Sequence, residues 1–498
     1  MDAKILSNEK NWLWLLLGVG ALVRLYRLDS QSLWADEGLQ YFIASAESFR
    51  EVFGRLFRTF HPPLSYLIHH AFLQINDSDF FLRLPSVLFG MASLPLVYGL
   101  ARRLVSTPAA LVALAVFSVS PFHIWYSQDG RMYAQLLFLS LLSTYCLLRA
   151  LEKEKSYWWV AYVAAIVAGM YTHVFMALAV FAQGLWILLR HRRLCWTYCI
   201  LGGVVTLLCL PLLWQWGGLF FTSAEKTLAG VEVPFEKRGG FSWLALPYTF
   251  FVYAVGFSLG PSVAELHEER SVQYVIQFLP IIGAVGFIYG LLCVLGVVAL
   301  RRQVAPEAML LCVLGLVTPL AGVTLLSLMT RFAFNPRYAI VAFPYFCLLL
   351  GIAIAFLGQK NRWAGTFALC AVLGISTASL GNLFFNPYYA KEDVRSAVAL
   401  WRSLSKDEPL VVCSPAGGAK DAVRRYLDVR EAKRLFAVGS RGVVERTDSI
   451  LTTNKTHSAY VLFIRDWRTL QEKAIRSAFI VDGAQSFPSV RVVRIIRP

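Results

Sequence analysis

The chain has 498 residues, of which 57% are hydrophobic and only 16% charged. Ordinary soluble domains carry about 25% charged residues. A soluble globule, a disordered chain and a coiled coil are therefore excluded, and an α-helical polytopic membrane protein is left. The formal charge of +16 suggests a nucleic-acid partner. The basic residues, however, fall in short clusters between apolar runs, where membrane topology accounts for them. No nucleic acid is expected.

A span needs about 20 apolar residues to cross about 30 Å of hydrocarbon. The chain predicts about eleven, centred on residues 11–26, 82–100, 107–125, 132–148, 158–171, 174–189, 194–213, 275–300, 309–328, 338–357 and 363–383. Residues 107–148 would form one helix of roughly 60 Å, about twice the membrane core. Ser127-Gln128-Asp129-Gly130-Arg131 is therefore read as a turn between two spans. Thr172-His173 is read in the same way. The first apolar run lacks a small-residue cleavage site and is followed by Arg24 and Arg27, so it is read as a span.

This scheme puts five basic clusters on one side: Arg102-Arg103, Arg149 with Lys153 and Lys155, Arg190 with Arg192 and Arg193, Arg301-Arg302, and Lys360 with Arg362. The positive-inside rule makes that side, with the N-terminus, cytoplasmic. A multi-pass protein of the plasma (inner) membrane is expected. Its outer side holds a loop 28–81, the turn at 128–131, a loop 214–274 and the tail from 384. The apolar stretch 241–259 is read as interfacial or re-entrant, because a further span would invert the last two basic clusters.

In the tail, apolar runs shorten and charges return. Residues 410–413, 435–438, 460–464 and 490–496 read as strands, and 394–404 and 420–427 as helices. The expected organisation is a transmembrane domain, 1–383, followed by a small extracytoplasmic α/β domain, 384–498. Of nine cysteines only Cys413 lies in this tail, so the tail has no internal disulfide partner.

Chemistry-bearing residues gather in the outer segments. Asp36-Glu37, just after the first span, can supply a general base or simply an acidic pair at a helix start. His61 stands before Pro62-Pro63. His69 and His70 are adjacent, so on a helix they point about 100° apart and do not converge on a metal. Asp129 and Arg131 occupy the second outer turn. Arg83, Arg331 and Arg337 lie at span ends, where a guanidinium can grip a phosphate or snorkel to a lipid headgroup.

The order of these motifs carries more than each alone. Trp34-Ala35-Asp36-Glu37, Phe60-His61-Pro62-Pro63-Leu64-Ser65-Tyr66 and Arg83-Leu84-Pro85-Ser86 are followed by a stretch from Ser120 to Tyr133 containing Gln128-Asp129-Gly130-Arg131. Asn335-Pro336-Arg337-Tyr338 and Pro387-Tyr388-Tyr389-Ala390-Lys391-Glu392-Asp393-Val394-Arg395 come later. Over about residues 11–400 this resembles the integral-membrane type C (GT-C) glycosyltransferases. The likeness is to the bacterial branch related to protein O-mannosyltransferases and the lipid A aminoarabinose transferase. The turn departs from that pattern, with Asp-Gly where Glu-Ala is expected, but keeps the carboxylate.

The resemblance implies inverting transfer from a polyprenyl-phosphate sugar donor to a lipid, glycan or protein acceptor. Asp36, Glu37 and Asp129 would be catalytic, with Asp36 the base and Glu37 supporting it. Arg83, Arg131 and Arg337 would bind the donor phosphate, and His61 and Tyr338 would line the pocket. Cations make phosphate a competent leaving group, so no cofactor is strictly needed. A flippase of lipid-linked sugars would instead place charges at mid-membrane. A glycan polymerase or ligase using diphosphate donors and a non-catalytic membrane scaffold with a sensory tail are the remaining alternatives.

Overall fold

The computed structural model describes residues 9–56, 59, 61–153, 155–218, 242–268, 272–329, 333–405, 407–439, 442–466 and 469–498. Each predicted span coincides with a helix or a bent helix pair. Among the described residues, six helices are individually long and apolar enough to cross a membrane: Asp79–Leu104, Tyr133–Glu152, Leu279–Gln303, Pro306–Met329, Pro336–Lys360 and Arg362–Phe385. Two bent pairs, Thr107–Ser118 with Pro121–Ser127 (56°) and Arg192–Leu208 with Leu210–Gly218 (57°), bring the number to at most eight. Ser156–Met170, Met176–Arg190 and Ala245–Val255 are shorter apolar helices. The last has 11 residues, about 16 Å at 1.5 Å per residue, and is too short to span.

Phe343–Lys360 is the hub of the bundle, its apolar face enclosed on all sides. Helices inside a membrane gain little from excluding lipid, so they associate where small residues let backbones approach. A Cβ on Gly351 would lie 2.5 Å from the Ala109 carbonyl oxygen, and one on Gly296 2.7 Å from that of Leu349. Glycine at these two positions brings Thr107–Ser118 and Leu279–Gln303 against the hub.

The basic clusters share one end of the bundle, where Arg102 pairs with Glu9 (3.3 Å) and Arg103 with Glu152 (3.1 Å). At the other end the bent pair is built to stop. Pro121 cannot donate into the preceding turn, and the Ser120 hydroxyl accepts from the His123 amide at 3.2 Å. The buried Arg24 guanidinium donates to the carbonyls of Phe117 (3.2 Å) and Ser118 (2.8 Å), which the helix end leaves orphaned. That break aims the 128–131 turn inward.

The C-terminal α/β domain is built on a five-stranded sheet of order β2-β1-β3-β5-β4. β1 (Leu410–Cys413), β2 (Leu435–Val438) and β3 (Ser458–Ile464) are parallel, while β5 (Val490–Ile496) runs antiparallel to β3 and to β4 (Ile480–Phe487). Alternation along β1 sends Val411 and Cys413 to one core and Leu410 and Val412 to the other. The second core also takes in Ala35, from the helix Ala35–Ala44. That helix locks onto the domain glycine against glycine: a Cβ on Gly38 would lie 2.5 Å from the Gly418 oxygen and the Ala422 nitrogen.

Candidate functional site

Helix Ala35–Ala44 sets the site. Trp34 enters it in an extended conformation and offers no side-chain cap. The cap comes from far along the chain, where Glu392 Oε2 accepts from the Ala35 amide at 2.8 Å. Carboxylates also suit the positive end of the helix dipole. Asp36 and Glu37 then point about 100° apart, into two different environments.

Glu37 is fully buried. Arg83 grips it with two N–H groups, each at 2.7 Å, and the Gly130 amide donates to it at 2.8 Å. The other N–H groups of Arg83 donate to the carbonyls of Leu28 (2.9 Å), Gln31 (2.9 Å) and Ser32 (3.1 Å). A guanidinium has five N–H donors, and protein takes all five here. The expectation that Arg83 holds the donor phosphate is therefore corrected, because nothing is left on Arg83 to bind it. Lys391 Nζ sits 3.6 Å from Glu37 and 3.1 Å from Asp129, whose Oδ1 also accepts from the Trp34 indole at 2.8 Å. Asp129 is fully buried as well. Burial raises the pKa of both carboxyls. Arg83 and Lys391 outweigh it at Glu37, whose pKa is lowered, whereas at Asp129 burial and the neighbouring Glu37 leave the pKa raised. Glu37 is taken up by protein donors, whereas Asp129 keeps one buried oxygen, Oδ2, without a hydrogen-bond partner among the described residues.

Asp36 is different. Its side chain is 24% exposed. Arg337 NH1 donates to Oδ2 at 2.8 Å, and Arg465 NH1 approaches Oδ1 at 3.5 Å. Burial alone would raise its pKa, but Arg337, Arg465 and Arg131 hold the carboxyl far below the usual carboxylate range. Arg337 follows the Asn335 cap of a short 3-10 segment, Pro336–Ala342. Its guanidinium lies 5.4 Å from the Tyr133 ring centre and 5.2 Å from that of Tyr338. Arg131, almost wholly buried, donates to the Asp36 carbonyl (3.2 Å), Gln40 (3.3 Å) and Tyr66 (3.4 Å).

His61 faces the same pocket, 6.1 Å from the Tyr66 ring. Burial, then Arg131, push its pKa down to about 3. His173, 5.8 Å from Tyr133, is likewise pushed to about 3, chiefly by burial. Both histidines are neutral at physiological pH. His69 Nδ1 bonds the Ser65 carbonyl (2.6 Å) and His70 Nδ1 that of Ala44 (2.9 Å), so they serve backbone. Among the described residues no three His, Cys, Asp or Glu side chains converge on a common point. Arg331 lies outside the described residues.

The structure thus brings Asp36, Arg131, Arg337, Tyr338 and His61 into one cluster. It adds Arg465, Lys391, Glu392, Trp34 and His173. An apolar groove of about 760 Å³ is lined by Pro63, Leu67, Trp159, Val163, Tyr171 and Leu208 among others. Pro63 and Tyr171 are two residues from His61 and His173, and the Leu64 amide donates to the Tyr171 carbonyl at 2.9 Å. The groove is therefore lined by chain neighbours of both histidines.

Residues 60–216 match the family model of dolichyl-phosphate-mannose-protein mannosyltransferases, a stretch that contains neither Asp36 nor Arg337. The Bacillus subtilis protein YycA, provisionally named a mannosyltransferase, is 26% identical over 143 residues, which cover 26% of this chain and 21% of YycA. Two crystal structures of ArnT from Cupriavidus metallidurans, apo and bound to undecaprenyl phosphate, align over 97% of this chain and 98% of theirs. Their TM-scores are 0.60 and 0.58, with 14% and 15% identity. The archaeal oligosaccharyltransferase AglB from Archaeoglobus fulgidus, in complex with an inhibitory peptide and a dolichol-phosphate, aligns over 98% of this chain and 74% of its own. Its TM-score is 0.54, with 12% identity. The fold is that of the GT-C glycosyltransferases, as the ordered motifs imply, and the protein is a multi-pass membrane protein.

Proposed function

We propose that the protein transfers a sugar, with inversion, from a polyprenyl-phosphate donor to an envelope lipid, glycan or protein acceptor. The observation that carries this reading is the pairing of a partly exposed Asp36 with Arg337, in a protein that also presents an apolar groove near His61 in the chain. Chemistry of this kind needs a base for the acceptor, cations for the leaving phosphate and an apolar seat for an isoprenoid. Each buried CH₂ of such a tail contributes about 0.8 kcal/mol. Undecaprenyl phosphate bound to ArnT and dolichol-phosphate bound to AglB support the donor class.

In this reading Asp36 is the general base and Arg337 the phosphate ligand. The donor phosphate competes with Asp36 for Arg337 and releases the carboxylate toward the acceptor. Glu37, Arg83, Asp129 and Lys391 are positioning residues that hold the start of helix Ala35–Ala44. Arg131 contributes its charge, and His61 and Tyr338 line the pocket as neutral groups. Residues 1–383 form the membrane domain and 384–498 an extracytoplasmic domain, with the N-terminus and the basic helix ends in the cytoplasm. Purified protein in liposomes, given a polyprenyl-phosphate sugar and an envelope lipid extract, is expected to transfer the sugar. Transfer from a diphosphate-linked donor alone would overturn the donor assignment in favour of a ligase, and transport without transfer would favour a flippase.

A further inference from the structure

The C-terminal domain does more than rest on the membrane bundle. β3 ends at Ile464, and the next residue, Arg465, turns into the left-handed region with φ 58°. A side chain with a Cβ is rarely held there, and such strain persists where the surroundings impose it. The surroundings here are specific. Arg465 Nε pairs with Glu392, the residue whose other oxygen caps helix Ala35–Ala44. Its guanidinium lies 5.1 Å from the centre of the Trp34 ring, and NH1 faces Asp36 Oδ1. Glu392 and Trp34 thereby hold the cation over the first turn of that helix, opposite Arg337.

Asp36 thus stands between two guanidiniums, one from the membrane bundle and one from the C-terminal domain, each facing a different carboxylate oxygen. Two of the five N–H groups of Arg465 are engaged among the described residues. The remaining N–H groups and a 19% exposed side chain leave it able to take a further anion, unlike Arg83. A second phosphate ligand in the right place is a guanidinium, whose planar fork matches phosphate oxygens.

We propose that Arg465 is a phosphate-binding residue supplied to the site by the C-terminal domain, and that a polyprenyl phosphate bridges Arg465 and Arg337 in place of Asp36. This rests on the donor class proposed above. It makes the docked domain part of the donor site.

The test is direct binding of undecaprenyl phosphate and of uncharged undecaprenol to the full-length detergent-purified protein. Wild type, Arg465→Ala, Arg465→Lys and Arg425→Ala would be compared. Arg425 anchors the domain to Asp77 and Asp79 away from the pocket, at 3.0 Å each. Arg465→Ala is expected to weaken the phosphate at least tenfold, with undecaprenol affinity unchanged and Arg465→Lys recovering part of the loss. A structural role alone would move both lipids together, as Arg425→Ala is expected to do if docking loosens. Equal phosphate affinity in Arg465→Ala and wild type, or parallel loss of both lipids, would overturn the proposal. Failure of wild-type protein to bind the phosphate would overturn the donor reading itself, and this proposal with it.

Discussion

Asp36 and Glu37 are neighbours in the chain and opposites in the structure. Glu37 is sealed among Arg83, Gly130 and Lys391, with its hydrogen-bonding capacity spent inside the protein. Asp36 is partly exposed and held by cations that, among the described residues, keep N–H groups in reserve. A helical step of about 100° separates a carboxylate that builds the site from one that can act in it. The contrast also sorts the arginines: Arg83 is saturated with protein acceptors, whereas among the described residues Arg337 and Arg465 are not.

The contrast can be broken from the Glu37 side first. Arg83→Ala leaves Glu37 buried without its two-pronged partner, and removing one partner of such a pair costs about 3–5 kcal/mol. Thermal unfolding in detergent is expected to show that loss, and Arg83→Met with Glu37→Leu should not recover it, because the carbonyls of Leu28, Gln31 and Ser32 and the Gly130 amide stay unpaired. Unchanged stability in Arg83→Ala would mean that Glu37 is not sealed. Gly38→Ala drives a methyl group into the Gly418 and Ala422 backbone. A cost of about 1–3 kcal/mol is expected, read as earlier proteolysis between the helix bundle and the C-terminal domain.

On the Asp36 side, Arg337→Ala is expected to weaken donor binding about tenfold, near 1.4 kcal/mol, and to leave acceptor binding nearly unchanged. It also removes a cation that depresses the Asp36 pKa. The acid limb of kcat/KM for the acceptor should therefore move to higher pH, and an unmoved limb would separate Arg337 from the base. An effect confined to stability is expected at His61. Folded, it stays neutral down to about pH 3, whereas an unfolded histidine takes up a proton near pH 6.5. Stability is lost as pH falls below about 6.5, because the unfolded state then binds more protons. His61→Asn should reduce the fall in melting temperature between pH 7 and 5, by at most about 2 kcal/mol in free energy.

Much of the fold was legible because apolar runs of membrane length leave few choices, and four of the five strands are short apolar runs. β4 was not. Its Asp482, Gly483, Gln485 and Ser486 lie on an exposed edge, where little apolar patterning is required, and Gly483 at φ 97° sits where the register shifts against β5. The helices Val443–Thr453 and Leu470–Ala478 were missed too, being short and largely polar. In the site, the types of Asp36, Arg337 and His61 and their places near span ends were readable. The saturation of Arg83 was not, because three of its five acceptors are backbone carbonyls of residues 28–32, which no side-chain pattern encodes. Arg465 carries no motif at all. It reaches Asp36 across 429 residues because the parallel β3 ends over the helix that Glu392 caps.

The central claim is that Asp36 is the base that activates the acceptor. The most direct measurement is single-turnover transfer from a polyprenyl-phosphate sugar by purified Asp36→Asn, with polyprenyl-phosphate binding measured on the same sample. A rate lower by roughly 10²–10⁴-fold, with the protein folded and still binding the lipid phosphate, is the expected result. Transfer at the wild-type rate would contradict it.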